Sequence, residues 1–255
     1  MSAQEELECE QNEKCLGDFK HRNNPKKVLK RLKSGNRRFA LSKKKCNQPV
    51  TECDTNDMIH PNQSTIRRKN TAANGQKPFA IILSCADSRV PPELIFDTGI
   101  GDLFVVRVAG NIANTSSIAS IEFAVAKLHC KFILVLGHEG CGAVKAAMSN
   151  EPAASENLEH LVEHILPAVY YSGCESKITD EDYYNTCKHN DSDLKSVTKR
   201  NVANNADALV YKSKIIRESI RNSGVEIYSG YYKLKSGKAN IDTNALWNNT
   251  NLHIK

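Results

Sequence analysis

The chain has 255 residues, a formal net charge of +6 and 40% hydrophobic content, enough for one large domain or two small ones around a substantial core. No run approaches the ~18 consecutive apolar residues of a membrane span. Nine cysteines, an odd number without regular spacing, argue against a disulfide framework and for reduced thiols, some of them metal ligands.

Residues 1–23 begin "MSAQEELECEQNEKC", polar and acidic, with neither the apolar segment of a secretory signal nor the Arg-rich pattern of a transit peptide. They read as a tail, and a cytoplasmic location is expected. Much of the positive charge lies between Lys20 and Lys45, but this stretch has Phe39 as its one aromatic and no base-reading motif, so no nucleic-acid role is expected. Asn24 as N-cap, Pro25 at the first helical position, and Val28, Leu32 and Phe39 near helical spacing predict an amphipathic helix over 24–39 with a solvated basic face. Residues 46–77 are polar and read as a linker.

Four strands are expected: "FAIILS" 79–84, "DLFVVRV" 102–108, "KFILVLG" 131–137 and "VEIYSGYYKL" 225–234. The first three are continuous apolar runs, as in strands buried on both faces of a parallel sheet. Between them, "SSIASIEFAVAKLH" carries Ile118, Ile121, Val125 and Leu128 on one helical stripe. "NLEHLVEHILPAV" reads as a helix ending near Pro167, and residues 201–224 as a single helix stopped by Gly224. Strands alternating with helices predict an α/β fold, a mostly parallel central β-sheet flanked by helices, with ligands at the carboxyl ends of the strands.

At those ends stand donors that strand packing does not require. Cys85 closes the first strand, with Asp87 and Arg89 following at alternate positions in "SCADSRV"; the third strand runs into "HEGCGAV", bringing His138 and Cys141. Two thiolates and an imidazole make a Cys₂His set of the kind that holds catalytic zinc with one open position. Each residue taken singly could be a buried hydrophobe or a satisfied loop histidine, but the set together with a charged pair points to a metal site. Backbone N–H groups at Gly142 and Ala143, opening the following helix, are candidates to receive an anionic oxygen.

"CADSRV" followed some fifty residues later by "HEGCGAV", with "GDLFVVRVAGN" and "SIEFAVAKL" between, resembles a β-class carbonic anhydrase. The similarity runs over roughly residues 24–240 and includes "SGNRRF" in the basic helix and the closing "GYYKLKSG" hairpin. The resemblance implies one zinc per subunit held by Cys85, His138 and Cys141, and an Asp87–Arg89 dyad that orients a zinc-bound hydroxide for reversible hydration of CO₂ to bicarbonate. It implies Gln76 as a substrate-side residue, and a homo-oligomer, dimer or tetramer, whose N-terminal helix serves as an arm. A catalytic domain over 24–242, flanked by tails at 1–23 and 243–255, follows from it. A COS or CS₂ hydrolase on the same scaffold, and an idle zinc-binding interaction module, are the alternatives; the intact Asp87–Arg89 pair argues against the second.

Some members of that family carry a bicarbonate pocket, built from a Trp, an Arg and a Tyr, that locks a closed state with Asp as fourth ligand. Ile82 stands at the Trp position here, beside Arg107 and Tyr232, so an open site is expected and Arg107 is expected to brace the subunit interface or the loop at Gly110. His160 and His164, four apart on one helix, lack an evident third ligand and read as a solvated face. The sequons at Asn62, Asn114, Asn190 and Asn248 matter only in a secreted protein. Cys9, Cys15, Cys46, Cys53, Cys174 and Cys187 lie in polar segments as exposed-thiol candidates.

Overall fold

In a computed structural model of the chain, residues 20–42, 65–149, 151–170 and 191–252 are described. The six cysteines of the polar segments, and the sequons at Asn62 and Asn190, lie outside these residues. In chain order the elements are α1 Pro25–Ser42, α2 Thr65–Asn74, β1 Ala80–Ser84, α3 Pro92–Ile95, β2 Leu103–Arg107, a 3₁₀ turn Ala109–Asn111, α4 Thr115–Ala126, β3 Phe132–His138, α5 Gly142–Met148, α6 Glu156–Glu163, α7 Leu166–Tyr170, α8 Asp191–Lys212, α9 Lys214–Ser223, β4 Glu226–Lys233 and β5 Lys238–Ile241.

The five strands form one sheet in the order β2-β1-β3-β4-β5, parallel except for the antiparallel β4–β5 hairpin. Alternation along β1 and β3 sends residues to two cores. Ile81, Leu83, Ile133 and Val135 pack with the apolar stripes of α4, α8 and α9. Ala80, Ile82, Leu134 and Leu136 pack with α1, α3 and the tyrosines of β4. For β1 and β3 the continuous apolar runs therefore have the cause expected of them, cover on both faces, whereas β2, expected to be buried in the same way, is an edge strand and only partly buried. From β1 the chain turns one way, to β2, and from β3 the other way, to β4. The switch point between β1 and β3 opens a crevice at their carboxyl ends, where sheets of this kind bind ligands.

α1 begins as its sequence predicts, with Asn24 Oδ1 accepting the Lys27 N–H at 3.1 Å. Its "SGN" docks the helix. A Cβ at Gly35 would stand 1.8 Å from the Phe96 carbonyl oxygen, so only glycine allows that approach. Asn36, 5% exposed, donates to the carbonyls of Ile95 and Gly237 and accepts from the Ala239 N–H.

The structure departs from the sequence reading in four places. Within the supposed linker, residues 65–74 form α2, which has no apolar stripe to announce it. Arg67, 1% exposed, anchors it by pairing with Asp102 and donating to the Ile100 carbonyl at 2.7 Å. The long helix expected over 201–224 is two, broken at Ser213, whose backbone is extended and whose hydroxyl caps α9 by accepting from the Ile216 N–H at 3.0 Å. α6 ends at Glu163, and Pro167 sits inside the first turn of α7, where its missing N–H is harmless. β5, "KANI", is a fifth strand too short and polar to read from periodicity.

After β5, Trp247 pairs with Ile227 at the edge of β4, and its Nε1 donates to Asp207 at 2.8 Å. Among the described residues, no helix is long and apolar enough to cross a membrane.

Candidate metal centre

Cys85 leaves the end of β1, His138 is the last residue of β3, and Cys141 is the N-cap of α5 after a two-residue turn. β1 and β3 are adjacent, with Ser84 opposite Leu136, so the two strand ends deliver their donors to one place. All three are buried, and their ligand atoms lie within 4.8 Å of one another, the one such group of three or more among the described residues. The Cys85 and Cys141 sulfurs are 3.9 Å apart; two sulfurs at ~2.3 Å from a tetrahedral zinc would be about 3.8 Å apart.

Hydrogen bonding prepares each donor. His138 Nδ1 donates to the Glu139 carbonyl at 3.0 Å, which fixes the tautomer and leaves Nε2 with its lone pair. Nε2 is fully buried and has no hydrogen-bond partner, a costly state for a polar atom unless a ligand meets it. Cys85 Sγ accepts from the N–H groups of Asp87 at 3.4 Å and Gly110 at 3.3 Å.

The Cys85 thiol is drawn down, chiefly by its contact with the Cys141 sulfur and also by the two N–H groups, against the upward push of burial. Cys141 moves up, because the Cys85 sulfur beside it disfavours a second thiolate and because it is itself buried. One proton between two sulfurs is what a cation displaces on binding. A buried, unpartnered imidazole nitrogen facing two sulfurs at tetrahedral separation fits a zinc ion.

Asp87 stands at the rim, its Oδ2 3.9 Å from His138 Nε2. Arg89 grips it as a fork, Nε to Oδ1 at 2.9 Å and Nη2 to Oδ2 at 2.7 Å, and the Arg89 N–H adds a bond to Oδ1 at 3.0 Å. These side-chain bonds, more than any other cause, hold the Asp87 carboxyl well below the usual carboxylate range. Arg107 holds the same turn from the neighbouring strand. It pairs in register with Ser84, and its guanidinium donates to the carbonyls of Cys85 at 3.0 Å and Asp87 at 2.6 Å. The brace expected at the Gly110 loop or an interface is in this protomer a brace of the 85–87 turn.

The remaining sites of the sequence reading are placed differently. Ile82 is fully buried in the apolar core, two residues short of the strand's end. Gln76 is exposed ahead of the amino end of β1, so a five-residue strand, roughly 17 Å long, separates it from Cys85 within one protomer. Gly142 is exposed and Ala143 partly buried at the start of α5, just after Cys141. His160 and His164 form an edge-to-face pair with ring centroids 4.6 Å apart, His160 lying 3.9 Å from Glu163 on the exposed face of α6.

A family model described as "Carbonic anhydrase" matches residues 80–239. "Carbonic anhydrase 2" of Mycobacterium tuberculosis is 35% identical over 219 residues, 85% of this chain and 92% of that protein. Among solved structures, the β-carbonic anhydrase CafA of Aspergillus fumigatus superposes with a TM-score of 0.59 at 24% identity, over 81% of this chain and 92% of that one. One of two tetrameric β-carbonic anhydrases of Sordaria macrospora gives 0.58 at 24% identity, over 68% and 84%.

Proposed function

Since the chain belongs to the β-carbonic anhydrases, enzymes of CO₂ hydration, we propose that Cys85, His138 and Cys141 hold one zinc ion and that Asp87 and Arg89 form the dyad that directs the reaction on CO₂. The observation that carries the reading is the buried, unpartnered His138 Nε2 facing two sulfurs, with the Arg89-clamped carboxylate of Asp87 at its rim. Zinc in such a site supplies Lewis acidity, lowering the pKa of water from 15.7 toward ~7.

The chain's own groups then set direction and charge. Asp87 Oδ1 is taken up by two donors of Arg89, whereas Oδ2 takes one, leaving a lone pair on the side of His138. That lone pair accepts a hydrogen bond from the attacking water oxygen and turns the oxygen's own lone pair toward the carbon of CO₂. Arg89 keeps Asp87 ionised and in place, so Asp87 stays an acceptor and does not swing in as a fourth ligand. Ile82 in the apolar core supports the same open arrangement. The Gly142 and Ala143 N–H groups, which open α5 directly after Cys141, take the role of receiving the bicarbonate oxygen. Two anionic sulfurs temper the charge of the ion, so an activity optimum on the alkaline side is expected.

A homo-oligomer fits the surface. β2 is an edge strand carrying Phe104 against the half-exposed Phe123 of α4, with Ile100 and Leu94 also exposed. Gln76 would reach a metal centre from a second copy. The test is zinc content and CO₂ hydration measured together: one zinc per chain with Asp87→Asn retaining metal but losing turnover supports the reading, and full turnover in Asp87→Asn would sink the role given to Asp87.

A further inference from the structure

α8 carries two asparagines, Asn201 and Asn205, on a helix whose neighbouring inward positions are Val202, Ala206 and Leu209. They are 0% and 4% exposed, in a helix interior where asparagine is a poor choice and burial of an amide is costly unless every bond is made. Resting on the zinc reading above, we propose that Asn201 and Asn205 are positioning residues for the metal-ligating sulfur of Cys85, acting by holding the Gly110 loop so that the Gly110 N–H donates to that sulfur.

The bonds form a continuous line. Asn205 Nδ2 donates to Asn201 Oδ1 at 2.9 Å and to the Asn201 carbonyl at 2.8 Å. Asn201 Nδ2 donates to the Gly110 carbonyl at 2.8 Å. Gly110 in turn donates its N–H to Cys85 Sγ at 3.3 Å. Asn205 Oδ1 also accepts the Ala113 N–H at 2.6 Å, so the two amides grip the loop at both its ends.

The loop needs gripping. Gly110 has φ 70° and Asn111 φ 48°, two consecutive residues in the left-handed region, the second of them not a glycine. Such a backbone persists where its surroundings over-determine it. A Cβ at Gly110 would meet Ile165 Cδ1 at 2.6 Å, so packing closes the other side. The carbonyl that Asn201 grips and the N–H that faces the sulfur belong to different peptide units. The asparagine therefore acts by geometry, setting the orientation of residue 110. An N–H aimed at a ligating thiolate draws charge from it and fixes its direction, the usual work of groups behind a metal ligand.

The test uses the full chain loaded with zinc or with cobalt(II). Asn201→Asp keeps the shape but sets a carboxylate oxygen against the Gly110 carbonyl. It should release zinc to a chelator about 10–100-fold faster than wild type and shift the thiolate-to-cobalt absorption. Asn36→Asp, which breaks an equally buried amide between α1 and the hairpin, should lower Tm yet leave release and absorption unchanged. Asn205→Ser, which removes the donor to Asn201, decides by the same readouts if Asn201→Asp does not fold. In the wild-type chain loaded with NMR-active cadmium, the Gly110 amide proton should show scalar coupling to the metal through sulfur, and a Gly110 proton without it overturns the inference whether or not either variant folds. Wild-type absorption with variants indistinguishable from it overturns this inference alone; a wild-type chain that takes up neither metal brings down the zinc reading with it.

Discussion

Two buried polar clusters in this molecule differ in one respect that separates a fastening from a reactive site. At the start of β2, Arg67 and Asp102 are buried together, with Asp102 accepting from Arg67 through one oxygen and from the Gly99 N–H through the other, at 3.0 Å. At the ends of β1 and β3, His138 Nε2 is as deeply buried and has no hydrogen-bond partner, and two thiols stand beside it. Completed partners hold α2 on the sheet. Incomplete ones, kept incomplete by a fixed tautomer and two N–H···S bonds, are a place prepared for a cation.

The comparison breaks hardest at the sulfur. Cys85→Ser should fold yet lose zinc and with it essentially all CO₂ hydration, measured as metal per chain and stopped-flow rate; a serine variant that keeps a full zinc complement would remove Cys85 from the ligand set. Asp87→Asn should keep the metal and lose about 100–1000-fold in kcat, the scale of a positioned proton acceptor.

Arg89→Gln should cost less, about 10–100-fold, through lost orientation. The sign of the pH effect follows from the lowered Asp87 carboxyl: without the guanidinium it rises toward ~3.9, still ionised at neutral pH. The variant's pH–rate profile should therefore be reduced in height and keep its midpoint. A midpoint displaced by a full unit would make Asp87 the titrating group and contradict the role given to it.

The fastening should respond in stability and not in chemistry. Arg67→Met leaves Asp102 buried without its partner and should cost about 3–5 kcal/mol, with the cobalt spectrum and the rate per folded molecule unchanged. Burial already raises the Asp102 carboxyl. A carboxyl raised on folding binds more protons folded than unfolded, so its contribution to stability is present below ~3.9 and is lost as pH rises through the folded value. Losing Arg67 raises it further, so the deficit measured by urea unfolding should grow as pH rises above ~3.9.

The sequence showed β1, β3 and the metal donors because all of these leave local marks. A strand covered on two faces is an unbroken apolar run, and thiols and imidazoles at strand ends have no packing reason to be there. It did not show α2, since a helix anchored through the Arg67 guanidinium to Asp102 and the Ile100 carbonyl has no stripe, nor the break at Ser213, since the apolar stripe continues across it from Leu209 to Ile216. Arg107, Gly110, Asn201 and Asn205 act on the 85–87 turn through bonds between elements far apart in the chain. Their one local mark is a pair of asparagines four apart on the inward side of α8, a sign that something polar lies beneath.

The most direct test of the account is zinc X-ray absorption on the purified chain at neutral pH, together with metal content. One zinc per chain, with two sulfurs at ~2.3 Å and two nitrogen or oxygen neighbours at ~2.0–2.1 Å, is the expected result. A zinc-free chain, or a metal shell without sulfur, would contradict the assignment of Cys85, His138 and Cys141.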